Sequence, residues 1–439
     1  MKNLKFDYTG GKIKDKEIAN IANGLEEYRD HLCAVAEKGD FFQPEASLCL
    51  PSDNLSSQRI ENMVMRFPSR LLKYIVVVGI GGSNLGTAAL YTALMGTQDA
   101  FDPTRLPKLL FLDTTSTDKM SEILHLLNHN ARNRGEFLIN IISKSGDTVE
   151  TIANFEILYK ELTKIFGDIT SRIIVTTDKG LKLWRCAEKL DFPRLYIPRQ
   201  IGGRYSVFSA VGLFPLSLVD IDTRSLLLGA ETMREMCLSS NTLENPAIMS
   251  AALLYIHYQK NITIHNNFLF DPRLELVGKW YCQLIAESLG KKHDTDGNIV
   301  RAGITPIISI GLTDLHSMAQ LYLGGPQDKF TTFLSVRDEG KDINVPEIPL
   351  LEGLITGISG HSLEFITDAI KQGVQATYKN LNLPFMSIVM PEISPYYLGQ
   401  YLQFEMIKTM YLAKLLRVNA FDQPAVEQYK IATRKILEQ

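Results

Sequence analysis

The stretch Tyr74-Ile75-Val76-Val77-Val78-Gly79 decides the fold. Five consecutive apolar residues ending on glycine form a strand buried on both faces, as expected in a parallel sheet rather than a half-exposed antiparallel one. Working outward, residues 109–112, 137–142 and 173–175 repeat the pattern with helical stretches between them. Strands alternating with helices predict a parallel sheet with crossover helices. A second series begins near Asn245 and places strands at 262–264, 307–310, 331–336 and 385–390. The expected fold class is therefore α/β, with two doubly wound parallel-sheet domains. Their expected bounds are 71–220 and 240–405, with a connecting helix over 222–238. Helices predicted over 15–40 and 57–73 make 1–70 a helical segment that packs on the larger domain. Helices over 397–417 and 424–437 make 406–439 a helical tail.

Bulk composition narrows the function. The 439 residues are 45% hydrophobic and 22% charged, an ordinary globular balance. A net charge of -3 gives no polybasic footprint, which argues against a nucleic-acid partner. The polar, glycine-interrupted start reads as neither signal peptide nor anchor, and no apolar run is long enough to span a bilayer. A cytoplasmic, non-membrane protein is expected. Five scattered cysteines without CxxC spacing suit a reducing compartment and argue against structural zinc. Eight histidines include no HExxH pair, so no metal site is expected.

Ligands of such sheets sit beyond the carboxyl ends of the strands, and the chemistry-bearing segments fall there. Gly79-Ile80-Gly81-Gly82-Ser83-Asn84-Leu85-Gly86 follows the first strand. It offers free backbone N–H groups at a helix start. It is no dinucleotide fingerprint, because GxGxxG would need glycine at Asn84. It is no P-loop either, because Thr87 follows Gly86. Ligand contact and a packing turn both fit it. Ser143-Lys144-Ser145-Gly146-Asp147-Thr148 follows the strand at 137–142. One helix cap needs one hydroxyl, whereas this loop supplies a cluster, so phosphate binding is the better reading. Asp147 is then expected to point to solvent.

Ile201-Gly202-Gly203-Arg204-Tyr205-Ser206 delivers a permanent cation on a glycine turn. That arrangement suits a developing oxyanion. Residues 274–287 show helical apolar spacing, with Gly290 as C-cap. Glu287 then sits in the last turn, where the helix dipole disfavours its charge and favours use as a general base. His316 follows the strand at 307–310 and is able to move protons near neutral pH. In Phe421-Asp422-Gln423-Pro424-Ala425-Val426-Glu427-Gln428-Tyr429-Lys430, Gln423 and Lys430 are about two turns apart, a spacing that fits one shared face and equally an amphipathic terminal helix with solvated charges.

Together these segments closely resemble the glucose-6-phosphate isomerase family in its shorter bacterial form, over nearly the whole chain. GGRYS and FDQxxVExxK are specific to that family, while SKSGxT is shared by wider sugar-isomerase (SIS) domains. The resemblance implies two such domains and reversible isomerisation of glucose 6-phosphate and fructose 6-phosphate through a cis-enediolate. By motif, Gly82 and Ser83 contact the sugar, and Ser143, Lys144, Ser145, Thr148 and Thr151 hold the phosphate. Arg204 stabilises the enediolate, and Glu287 moves a proton between C1 and C2. His316, supplied by the neighbouring subunit of a homodimer, and Lys430 assist ring opening. Gln423 binds substrate. No cofactor is implied. Three departures stand out: Asp147 where threonine is common, Ala425 for a usual glycine, and Arg199 at a position normally small or acidic.

Two rivals remain at this level. A non-catalytic sugar-phosphate sensor could dispense with the base or the arginine, yet Glu287, Arg204, His316 and Lys430 are all present. An NAD-dependent enzyme lacks its glycine fingerprint.

Overall fold

The computed structural model describes residues 3–337, 343–351 and 353–439. Its strands, in chain order, are β1 (Lys5–Asp7), β2 (Tyr74–Val78), β3 (Lys108–Leu112), β4 (Phe137–Ile142), β5 (Ile173–Thr177) and β6 (Arg194–Tyr196). They continue with β7 (Ile264–Leu269), β8 (Lys291–His293), β9 (Ile299–Ala302), β10 (Thr305–Ile310), β11 (Lys329–Val336) and β12 (Phe385–Met390). One sheet has the order β3-β2-β4-β5-β6 and is parallel throughout. The other runs β10-β7-β11-β12 in parallel, and β1 adds antiparallel to β12. β8 and β9 form a separate antiparallel ribbon.

The continuous apolar run at β2 works as the sequence suggests. Successive side chains point to opposite faces. Ile75 and Val77 enter the large core shared by both sheets, while Val76 and Val78 enter a second core under the helices Thr117–Asn130 and Val149–Phe166. On the second sheet, Leu269 and Leu334 face the shared core, and Phe268 and Phe333 face an aromatic cluster outside. The long helix Pro395–Leu415 is buried along nearly its whole length. It crosses the connecting helix Thr223–Cys237 at glycines. A Cβ on Gly229 would lie 1.9 Å from the carbonyl oxygen of Tyr396, and one on Gly399 would lie 2.1 Å from that of Leu226. Asp222 caps the connecting helix by accepting from the Ser225 amide at 2.9 Å.

Four local expectations shift. The N-terminal segment is not helical throughout, because β1 docks on the second sheet. The helix expected over 15–40 is two helices, Asp15–Asn23 and Glu26–Lys38, separated at Gly24. The helix expected over 57–73 spans Asn54–Val64, started by an Asp53 cap, and the chain leaves it before Pro68. The strand expected at 262–264 lies at Ile264–Leu269 instead. Asn266 and Asn267 interrupt the apolar signal there, but both are buried and bonded. Ser309 Oγ donates to Asn266 Oδ1 at 3.0 Å, and Asn267 Nδ2 donates to the Tyr401 hydroxyl at 2.7 Å.

Candidate active site

Two glycine loops meet back to back. The turn Gly81–Ser83 begins at Gly81, whose φ of 58° suits glycine. A Cβ on Gly82 would lie 2.1 Å from the carbonyl carbon of Gly203 and 2.6 Å from the amide nitrogen of Arg204. The two motifs are therefore one backbone-to-backbone contact. The turn Gly203–Tyr205 then holds Arg204 in the interior, with 2% of its surface exposed.

The Arg204 guanidinium joins three parts of the chain. Nε donates to Ser288 Oγ at 2.8 Å, and Nη1 donates to Glu287 Oε2 at 3.2 Å and Gln423 Oε1 at 3.3 Å. Nη2 donates to the carbonyls of Ala420 and Asp422. A buried arginine needs this degree of satisfaction. Glu287 stands on the helix Glu275–Leu289 and is partly exposed. Its other oxygen accepts from Gln283 Nε2 at 3.0 Å, one turn back on the same face. Gly290 is the C-cap, as expected, although its φ of -71° is not left-handed. Lys291 Nζ donates at 2.6 Å to the carbonyls of Glu287 and Asp422, closing the helix end onto the tail.

The hydroxyl loop after β4 is folded around Ser143. Its Oγ accepts from the Gly146 amide at 3.1 Å and lies 3.0 Å from Thr148 Oγ1. Gly146 has φ 71° and packs against Leu183, so the loop is fixed rather than loose. Thr148 is the cap residue of Val149–Phe166, yet its side chain makes no capping bond. The cluster is thus not used up in closing the helix, and the helix N-terminus remains available to an anion. Burial pushes the pKa of Lys144 below the ordinary lysine value; Asp178 opposes this, while Arg204 and Arg199 add to it.

Between these loops lies a cleft of about 450 Å³. Gly82, Ser83, Lys144, Ser145, Thr148, Glu287, Gln423 and Lys430 line it, with Arg204 directly behind Glu287 and Gln423. Lys430 Nζ donates to Glu427 Oε1 at 2.7 Å. Three anticipated residues lie elsewhere. Ser143 is buried beneath the loop that it organises. Thr151 is buried in the helix, and its hydroxyl has no hydrogen-bond partner. His316 is exposed on the helix Gly311–Ser317, outside the cleft lining.

Asp147 does not simply face solvent. It sits on the cleft wall and pairs with Arg434 at 3.1 Å, with Lys182 at 4.0 Å. Its charge is met by cations that any phosphate would share. Ala425 sits in the turn Pro424–Val426 and is not among the positive-φ residues, so glycine's freedom is not needed there. The motif reading gives no role to Gln283 or Ser288 and takes Lys291 only as a charge near Glu287. Gln283 was findable one turn before Glu287. The roles of Ser288 and Lys291 depend on contacts with Arg204 and the tail that no local pattern signals.

The phosphoglucose isomerase family model matches residues 65–439. The chain belongs to that family. It is similar to the glucose-6-phosphate isomerase of Rubrobacter xylanophilus, 34% identical over 441 residues and covering 99% of this chain and 98% of that protein. The corresponding enzyme of Carboxydothermus hydrogenoformans is 35% identical, covering 83% and 79%. Among solved structures, a hypothetical protein of Thermus thermophilus superposes with a TM-score of 0.86 at 30% identity, covering 99% and 100%. A Chlamydia trachomatis glucose-6-phosphate isomerase shares the fold, with a TM-score of 0.81 at 20% identity and coverage of 99% and 88%. Among the described residues of this phosphoglucose isomerase family member, no helix is long and apolar enough to cross a membrane.

Proposed function

We propose that this cleft carries out the reaction of the phosphoglucose isomerase family, reversible isomerisation of glucose 6-phosphate and fructose 6-phosphate, with Glu287 as the base. Ser145, Thr148 and Lys144, at the N-terminus of Val149–Phe166, hold the phosphate, and the loop ordered by Ser143 supports them. Gly82, Ser83 and Gln423 hold the sugar. Phosphate binding supplies remote energy that orients the reacting carbons. Lys430 assists ring opening. Glu287 removes the proton from C2 of the open aldose, the electron pair forms the C1–C2 double bond, and O1 becomes the enediolate oxygen. Transfer of a proton between the oxygens and return of the Glu287 proton to C1 give the ketose, with no net change in electrons.

The observation that carries this reading is the 3.2 Å contact between Arg204 Nη1 and Glu287 Oε2. A carboxylate open to the cleft and a cation held fixed behind it give one site both a proton acceptor and a preorganised positive charge. His316 lies outside its own chain's cleft, which supports its service to the cleft of a neighbouring copy in a homodimer. Glu287→Gln keeps the shape of the side chain and one acceptor for Arg204, while its amide nitrogen calls for Gln283 to turn its own amide and accept. Its turnover is expected to fall by at least ~10² while phosphate binding and thermal stability are retained. Near-normal turnover in that variant removes Glu287 from the role of base.

A further inference from the structure

A second cavity stands apart from the Glu287 cleft. It holds about 680 Å³ and lies between the helix Asn54–Val64 and the strand β6. Its floor is apolar, made by the buried Leu50, Ile60, Leu195 and Ala210. Two aromatic rings, Trp184 and Tyr196, stand in its wall. Four cations surround them: Arg59, Arg66, Lys179 and Arg194. No aspartate or glutamate lines the cavity, and among the described residues none of the four cations is in an ion pair. Two acids stand at its edge. Glu188 accepts from Trp184 Nε1 at 2.7 Å, and Asp191 lines an adjoining depression that shares Met63, Arg66, Trp184 and Arg194 with this cavity.

The cations are already arranged on the rings. The Arg59 guanidinium sits 5.3 Å from the Tyr196 ring centre, and that of Arg194 sits 5.4 Å from the Trp184 ring. Arg194 is further fixed by the carbonyls of Ala187 and Phe192, each at 3.2 Å. Planar groups layered over an apolar floor accept a flat body, and unpaired arginines accept phosphate or carboxylate oxygens. An isologous contact with a second copy would set these four positive charges against themselves, which disfavours that occupant.

We propose that this cavity is a second small-molecule site, for an anion built on a flat aromatic body, with a nucleoside phosphate as the probe class. Pro198, Ser209 and Ala210 line it from both sides of the loop that carries Arg204, so an occupant would touch the segments flanking the catalytic turn.

The protein has two tryptophans, and Trp280 is 1% exposed, so Trp184 reports on this cavity. Full-length protein is titrated with ATP, adenosine or tripolyphosphate, with and without saturating fructose 6-phosphate, while tryptophan fluorescence is followed. ATP is expected to change the emission saturably under both conditions. Adenosine and tripolyphosphate should each bind at least ~10-fold more weakly, as should ATP to the Arg59→Ala/Arg66→Ala variant, whose altered side chains are exposed. The response should vanish in Trp184→Phe. Absence of saturation, tripolyphosphate equal to ATP, unaltered affinity in the arginine variant, or a response surviving Trp184→Phe would each overturn the proposal. Because the readout is binding, it stands or falls independently of the isomerase reading.

Discussion

The two sheets repeat one topology and use it differently. β2, β3, β4 and β5 of the first sheet have the same neighbours as β7, β10, β11 and β12 of the second. In the first unit the chain passes from β4 to its helix through 143–148, and that short loop presents hydroxyls and Lys144 to a cleft. In the second, the chain travels from β11 through 337–362 before the helix Leu363–Asn380 begins under a Ser362 cap. The depression at that position is also polar, but Lys371 there pairs with Asp368 and bonds to Ser335. Deeper in the same unit, Lys408 and Glu405 pair at 2.5 Å with at most 2% of either side chain exposed. Shared topology therefore does not make a shared site. At the helix start after β4 polar groups face a cleft, while at the one after β11 they answer one another; the second unit meets the cleft elsewhere, through Gln283 and Glu287.

The harshest way to break that comparison is at Lys408. Burial pushes its pKa down and that of Glu405 up, and each charge opposes the shift of the other. Lys408→Met leaves a buried carboxylate without its cation and is expected to cost about 3–5 kcal/mol. Adding Glu405→Leu should restore much of that loss. The midpoint of urea unfolding is the measurement, with turnover read on the folded fraction. If folded Lys408→Met protein turns over poorly, the second unit's network belongs to the chemistry, and the distinction between the units fails.

Gly82→Ala comes next. The added methyl meets the Gly203 backbone, which cannot yield as a side-chain tip does, so a loss of about 3 kcal/mol is expected together with most activity. Gly373→Ala in the second unit's helix meets nothing within 4 Å and should raise stability by about 0.5–1 kcal/mol. Equal effects at the two positions would mean that the glycine contact is incidental.

These positions also show how far the sequence could be read. The strands of both sheets were legible because parallel strands buried on both faces carry unbroken apolar runs, and the motifs fell at the strand ends as the topology requires. β7 was displaced in the reading because Asn266 and Asn267 are polar, and only the fold brings Ser309 and Tyr401 to them. β1 is short, and its pairing with β12 spans nearly the whole chain, beyond any local signal. Most anticipated cleft residues do line one cleft. The back-to-back glycines were not legible as a pair, since each motif explains itself as a turn. Nor was the engagement of Arg204 with the carbonyls of Ala420 and Asp422, because backbone acceptors have no residue signature.

Smaller effects sharpen the contrast between the two helix starts. With Ser145 holding the phosphate as proposed, Ser145→Ala removes one neutral donor, and KM for fructose 6-phosphate should rise about 10-fold with stability little changed. Ser362→Ala removes the cap of the corresponding helix in the second unit. It should cost about 1 kcal/mol in stability and leave KM alone. Steady-state kinetics on both variants decide the matter, and a KM shift in Ser362→Ala would mean that both helix starts meet substrate.

The finest test concerns protons. Lys144 is held below its ordinary pKa chiefly by burial, with Arg204 and Arg199 adding to the effect. In the free protein its charge therefore costs stability, and that cost fades as pH rises through the window below the ordinary value of about 10.4. A bound phosphate dianion reverses the balance, favouring the protonated ammonium and raising its pKa. Within that window the complex must then hold more protons than the free protein, so binding takes protons up. Calorimetric titration with inorganic phosphate, in buffers of different ionisation enthalpy, should give an uptake that approaches one proton as an upper limit and vanishes in Lys144→Met. Equal uptake in wild type and variant would place the titrating group elsewhere and leave Lys144 on the wall of the cleft without a hand on the phosphate.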